Sequence, residues 1–167
     1  LEQSSQSQYH STTTSKPINT TFPVQNVGDN FEYGKIESPN VKSKIISLKP
    51  KIDKFIKDDG GKNFVITITA GESNVTNPKG FEEKGSLALA RANSVKGYFE
   101  EVFQDLIKNG VLTIKVPTDV SQVSLGKTLY DKTKGDINNP DKKKLYNDEQ
   151  FVRFTITGSG SKCNFNF

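Results

Sequence analysis

The sequence is poor in the residues that most enzymes and metalloproteins use for chemistry. It contains no methionine or tryptophan, one histidine (His10), one cysteine (Cys163), and only two arginines among 23 basic residues. A single histidine in a polar N-terminal segment argues against nucleophile–histidine catalysis. One cysteine cannot form an internal disulfide, and a structural zinc site needs several ligands. The oxygen-rich stretch at 131–141 lacks the spacing of a calcium loop. We therefore predict a non-enzyme that holds no metal or cofactor.

Long apolar runs and basic stripes are also missing. No stretch approaches the roughly 20 apolar residues that a membrane-spanning helix requires. The net charge of +4 comes from lysines interspersed with acids, and no basic stripe contains interleaved aromatic residues. The one tight basic run, residues 142–144, is interpreted as a solvated loop. These features predict no membrane span in this chain and no nucleic-acid partner.

Composition divides the chain into one domain with polar ends. Residues 1–28 are rich in serine, threonine, glutamine and asparagine and contain few apolar residues. Such a composition buries too little surface to offset chain entropy, so we predict a disordered linker or tether. The Gly-Ser-Gly-Ser-Lys stretch predicts a flexible tail at 159–167. The folded domain is then expected at residues 29–158.

The apolar pattern at the start of this domain predicts a strand followed by a helix. Residues 31–36 alternate between apolar and polar, as in a short strand. Ser38 and Pro39 have the residue types of an N-cap and a first helical position. An apolar stripe at three- and four-residue spacing follows. Pro50 is expected to kink this helix or to split it, and the glycines after Asp59 are expected to end it.

The remaining segments alternate between strand and helix patterns. We predict a strand at 64–69, a helix at 86–109 and a second strand at 112–116. A long polar connection at 117–149 then leads to a last strand at 151–156. The resulting order is β-α-β-α-β-β. This order predicts an α/β (α+β) two-layer sandwich in which the helices cover one face of a mixed sheet.

Arg91 stands out because it lies near the start of the second predicted helix in a lysine-rich chain. A guanidinium binds a carboxylate through two parallel hydrogen bonds, whereas a lysine ammonium acts as a point charge. Arg91 is therefore a candidate ligand-binding residue, and an ordinary surface arginine is the alternative.

Three sequence motifs occur in an order that resembles a known family. Residues 87–95 are similar to the helix signature Leu-Ser-x-x-Arg-Ala-x-x-Val, residues 31–35 to Phe-Asp-Phe-Gly-Lys, and residues 71–74 to Gly-His-Thr-Asp. These are motifs of the OmpA-like peptidoglycan-binding domain of Gram-negative bacteria. The resemblance covers about residues 29–158 and identifies the chain as a divergent member.

The resemblance implies a ligand and a set of site residues. The family binds the diaminopimelate side chain of the peptidoglycan stem peptide, whose end carries an ammonium and a carboxylate on one carbon. Its arginine, which takes the carboxylate, matches Arg91, and its aspartate, which takes the ammonium, matches Asn74. Glu72 is a candidate for the carboxylate that Asn74 lacks. The complete predicted site is Glu72, Ser73, Asn74, Lys84, Leu87 and Arg91.

Two functions remain open at this stage. The first is a non-catalytic cell-wall anchor in the periplasm or at the outer membrane, with an envelope protein as a further partner. The second is the same fold without wall binding, serving as a structural or protein-interaction module in an envelope or virus-like assembly. The uncharged Asn74 favours the second, because charge-assisted hydrogen bonds contribute roughly 1.5–3 kcal/mol against about 1 kcal/mol for neutral ones.

Overall fold

The computed structural model describes residues 16–126 and 143–164. The strands are β1 (Lys16–Thr21), β2 (Gln25–Asn30), β3 (Lys62–Glu72), β4 (Leu112–Lys115), β5 (Ser124–Leu125) and β6 (Phe151–Asn164). The α-helices are α1 (Pro39–Asp59), α2 (Ser86–Val102), α3 (Gln104–Lys108) and α4 (Lys143–Glu149), and a 3-10 turn spans Val120–Gln122.

The long strand β6 organises the sheet. Its first half pairs antiparallel with β2 and its second half with β1, so β1 and β2 run along it as one interrupted strand. On its other side β6 pairs antiparallel with β3, and β3 pairs parallel with β4. The helices lie on one face of this mixed sheet. The predicted α+β fold class is therefore confirmed.

The predicted domain boundaries are wrong at both ends. β1 and most of β2 lie within the stretch predicted as a linker, and β6 continues to Asn164, well into the predicted tail. These strands hold the sheet mainly through backbone hydrogen bonds, which composition does not report. Phe22, between β1 and β2, adds a core contact: it is 3% exposed and packs edge-to-face on Phe55 and Phe64. Residues 1–15 and 165–167 lie outside the described residues.

Glycines in β6 permit close packing. A Cβ atom at Gly158 would lie 2.6 Å from the Phe64 ring, and one at Gly160 would lie 2.6 Å from the carbonyl oxygen of Asp59. Only glycine lets the strand approach the ring and the end of α1 this closely. The glycine-serine stretch therefore belongs to the folded sheet.

The first predicted strand is also wrong. The strand ends at Asn30, Phe31 enters the core, and Gly34 has a positive φ of 71° in a turn. Residues 31–36 alternate in polarity, yet the segment contains a turn at 33–34 and only Phe31 is buried. An alternating pattern alone does not distinguish such a turn from a strand.

The helices keep most of their predicted ends. Ser38 caps α1 by accepting a hydrogen bond from the Val41 N–H at 3.3 Å, and Gly60 ends the helix in the left-handed conformation. Pro50 does not split α1, which is continuous over 21 residues. The predicted second helix divides at Phe103 into α2 and α3. In the described part of the chain, no helix has the length and apolar character needed to cross a membrane.

Candidate functional site: a polar cleft at the end of β3

A cleft of about 400 Å³ opens where β3 leads into the loop before α2. Its walls combine carboxylate, amide, hydroxyl and ammonium groups. The lining residues are Glu72, Ser73, Asn74, Val75, Thr76, Asn77, Glu82 and Lys84. Four of the six residues predicted from the sequence therefore come together here. The other two, Leu87 and Arg91, do not line the cleft and are fully buried.

Arg91, which the resemblance matches to the carboxylate-binding arginine, does not line the cleft. Its exposed fraction is 0%, and four of its five N–H groups donate to protein acceptors. Nε donates to the Lys35 carbonyl at 2.8 Å, and Nη1 donates to the Gly71 carbonyl at 2.9 Å. Nη2 donates to the Glu32 carbonyl at 3.3 Å and to Oε1 of Gln150 at 3.1 Å. The guanidinium is therefore satisfied from within the fold.

The turn at 31–36 forms part of the cradle around Arg91. It supplies two of the accepting carbonyls, and the Phe31 ring centroid lies 5.2 Å from the guanidinium carbon. Gln150 is held in turn by donating through Nε2 to the Tyr146 carbonyl at 3.2 Å. The first sequence motif and the helix motif thus meet in space, and their meeting point is internal.

The positive charge of Arg91 is balanced at a distance. In the described part of the chain no carboxylate lies within 4.0 Å of the guanidinium. Burial lowers the pKa of Arg91 to about 10, and the negative charge of Glu72 opposes that shift. Arg91 is therefore protonated at neutral pH.

Glu72 is also turned inward. The residue is 2% exposed, its Oε1 accepts the Ala88 N–H at 3.0 Å, and its Oε2 accepts from Nδ2 of Asn77 at 2.7 Å. Ala88 is the third residue of α2, and the N-cap residue Gly85 has no side chain to cap the helix. Glu72 therefore supplies the cap from the neighbouring strand. Both oxygens of this carboxylate already have partners inside the protein.

The groups left facing the cleft differ from the predicted set. Lys84 is exposed, Asn74 is half-buried and Ser73 is buried at the wall. Glu82, which sequence reasoning missed, is exposed, and its Oε1 accepts the Gly80 N–H at 2.9 Å. That bond lowers the pKa of Glu82. The cleft thus presents a cation and an anion close to neutral polar groups.

Asn77 was also missed, although the sequence carries a signal for it. Its Nδ2 donates both to Glu72 and to the Phe81 carbonyl at 3.1 Å, which ties the loop to the end of β3. The Asn-Pro-Lys-Gly stretch that starts at Asn77 is a typical turn sequence. Such a signal locates a turn but does not say what the asparagine side chain contacts.

Within residues 16–126 and 143–164, no group of three or more histidine, cysteine or acidic side chains is arranged to hold a metal. The oxygen-rich stretch at 131–141 lies outside these residues.

Comparison with known proteins gives likenesses of fold. No protein-family model matches the chain, and no curated protein matches its sequence. The cell wall anchor of the T6SS from Pseudomonas aeruginosa is similar at 12% identity over 80% of each chain, with a TM-score of 0.46. A MotB-like protein from Desulfovibrio vulgaris is similar at 16% identity, over 86% of this chain and 80% of the other, with a TM-score of 0.48.

A third solved structure is the OmpA-like domain of FopA1 from Francisella tularensis. It shares 17% identity over 90% of this chain and 84% of its own, with a TM-score of 0.37. With identities this low and TM-scores below 0.5, the function has to be derived from the chain's own residues.

Proposed function

We propose that this chain is a non-catalytic OmpA-like domain that binds peptidoglycan and anchors an envelope protein to the cell wall. The observation that carries the proposal is the cleft at the end of β3. Its lining includes the Lys84 ammonium, the Glu82 carboxylate and the Asn74 amide. The cleft also adjoins the helix that carries the motif at 87–95.

The ligand in this proposal is the zwitterionic end of a diaminopimelate stem peptide. Its carboxylate pairs with Lys84, and its ammonium pairs with Glu82 and the Asn74 amide oxygen. Direct bidentate capture by Arg91 is not part of the proposal, because four of its N–H groups are already bound inside the protein. The charge of Arg91 instead offsets that of Glu72, which lines the cleft.

This ligand implies a location and a partner. Diaminopimelate stem peptides lie in the periplasm of Gram-negative bacteria, so the domain acts there or at the outer membrane. An outer-membrane or other envelope protein is the expected partner in anchoring.

Calorimetric titration with a diaminopimelate-containing muropeptide tests the proposal. Lys84→Ala removes one charge-assisted bond and should weaken binding about tenfold. Lys79→Ala is the matched control, because Lys79 is an exposed lysine of the same loop that does not line the cleft. Equal binding by the wild type and Lys84→Ala would show that the cleft is not the site.

A second function is favoured by the burial of Arg91 and the neutral Asn74. In this alternative the fold has lost wall binding and serves as a structural or protein-interaction module in an envelope or virus-like assembly. Sedimentation with purified peptidoglycan sacculi separates the two functions. Wall anchoring predicts that the wild type pellets with the sacculi, whereas the alternative predicts that it stays in the supernatant.

A further inference from the structure

We propose that Glu72 is a built-in anion that occupies a carboxylate-binding position in the wall of the cleft and thereby limits the affinity for ligands that carry a free carboxylate. This inference rests on the proposed function, because it concerns the ligand preference of the same site.

Two groups donate hydrogen bonds to the Glu72 carboxylate, and a third acts on it only through its charge. The Ala88 N–H in the first turn of α2 donates to Oε1, and Nδ2 of Asn77 donates to Oε2. The third is Arg91, one helical turn after Ala88, where its side chain leans back towards the start of the helix. A helix N-terminus with a guanidinium behind it attracts anions. Here the anion comes from the protein itself.

The backbone holds Glu72 firmly in this position. Glu72 pairs with Leu125 of β5, and its carbonyl accepts the Gly126 N–H at 2.7 Å. Helix α2 needs a cap from another element because its N-cap residue, Gly85, cannot carry a side chain. A Cβ atom at residue 85 would lie 2.8 Å from Cβ of Val120. Glycine is required at that N-cap by this close approach, so capping passes to the side chain on β3.

The occupied position has a consequence for ligands. A ligand carboxylate cannot reach the Ala88 N–H while Glu72 holds it, and it meets the negative charge of Glu72 if it approaches. It is left with Lys84 at the rim of the cleft. Removing the Glu72 charge should therefore strengthen the binding of a carboxylate and leave the binding of its amide unchanged.

The first test is rescue of Glu72→Ala by formate. The truncated side chain leaves the Ala88 N–H without its acceptor and Asn77 Nδ2 with only the Phe81 carbonyl, and it opens space for a small anion. We expect about 100 mM formate to raise the Tm of this variant by roughly 2–4 °C relative to chloride at equal ionic strength. The wild type and Glu83→Ala, which removes an exposed carboxylate nearby, should show no such difference. A folded Glu72→Ala without rescue overturns the proposal.

The second test uses Glu72→Gln, which removes the charge but keeps an oxygen that can accept from the Ala88 N–H. This variant tests the proposal even if Glu72→Ala does not fold. We expect about tenfold tighter binding than wild type for a muropeptide with a free diaminopimelate carboxylate. We expect no change for the same muropeptide amidated at that carboxylate. Equal affinity of Glu72→Gln and wild type for the free carboxylate overturns the proposal.

The two proposals fail in different ways. If neither muropeptide binds to any variant but formate still stabilises Glu72→Ala, Glu72 is confirmed as the internal anion and peptidoglycan binding is overturned. If Lys84→Ala loses affinity but neither Glu72 variant behaves as described, the cleft binds peptidoglycan and the role of Glu72 is overturned.

Discussion

Arg91 is a buried cation whose hydrogen-bond acceptors are neutral. Three backbone carbonyls and the amide oxygen of Gln150 accept its hydrogen bonds. Removing one partner of such a group leaves the others desolvated and unpaired, which costs far more than losing an exposed contact.

The two arginines of the chain offer a direct stability test of this burial. We expect Arg91→Ala to lower the free energy of unfolding in urea by about 3–5 kcal/mol. Arg153→Ala is the control, because Arg153 is exposed on β6 and its guanidinium carbon lies 4.3 Å from the Phe151 ring centroid. Its loss should cost less than about 1 kcal/mol. Comparable losses in the two variants would contradict the internal role of Arg91.

At the scale of the element, the glycine in β6 and the glycine in α2 have opposite effects on stability. Gly158 faces the Phe64 ring at a distance that no Cβ atom could tolerate, whereas a Cβ atom at Gly97 would meet nothing within 4 Å. Gly158 permits close packing of the strand on the ring. Gly97 only increases the backbone entropy that α2 loses on folding.

This contrast predicts stability changes of opposite sign. Gly158→Ala should destabilise the protein by about 1–3 kcal/mol, because the ring or the strand must move. Gly97→Ala should stabilise it by about 0.5–1 kcal/mol, because alanine favours the helix and nothing obstructs it. Both values come from urea unfolding of the purified variants. A neutral Gly158→Ala would mean that β6 does not press against Phe64.

At the scale of the whole molecule, the first and last strands close the sheet together. β1 and β2 run along β6, and Phe22 between them joins the ring cluster of Phe55 and Phe64. A fragment that starts at residue 29 loses β1, Phe22 and most of β2. Ending it at residue 158 also removes the half of β6 that pairs with β1.

We therefore expect residues 29–158 to show no cooperative unfolding transition, whereas residues 16–164 unfold in a single step. Circular dichroism during urea titration measures this for both fragments. The shorter fragment lacks the buried Phe22, whose removal costs about 3–5 kcal/mol by itself. It also lacks an entire edge of the sheet. A fragment 29–158 with the same midpoint as 16–164 would show that the terminal strands are dispensable.

The sequence alone was enough to predict the elements that carry their own pattern. The start of α1 at Ser38-Pro39, its end at Gly60 and the position of β3 follow from capping residues and apolar runs, which act over a few neighbouring residues. Arg91 was selected as an isolated arginine in a lysine-rich chain, and the family resemblance led to four of the eight residues that line the cleft.

Only the tertiary structure decided what these residues do. The acceptors of Arg91 on the segment before α1 lie 56 and 59 positions away in the chain, and Gln150 lies 59 positions away on the other side. Glu72 and Ala88 are 16 positions apart, yet they form one helix cap. Local pattern does not encode such pairings, because burial and hydrogen bonding at these sites depend on how β3, α2 and the turn at 31–36 meet. The fold therefore directs the guanidinium inward and leaves the cleft to Lys84, Glu82 and Asn74.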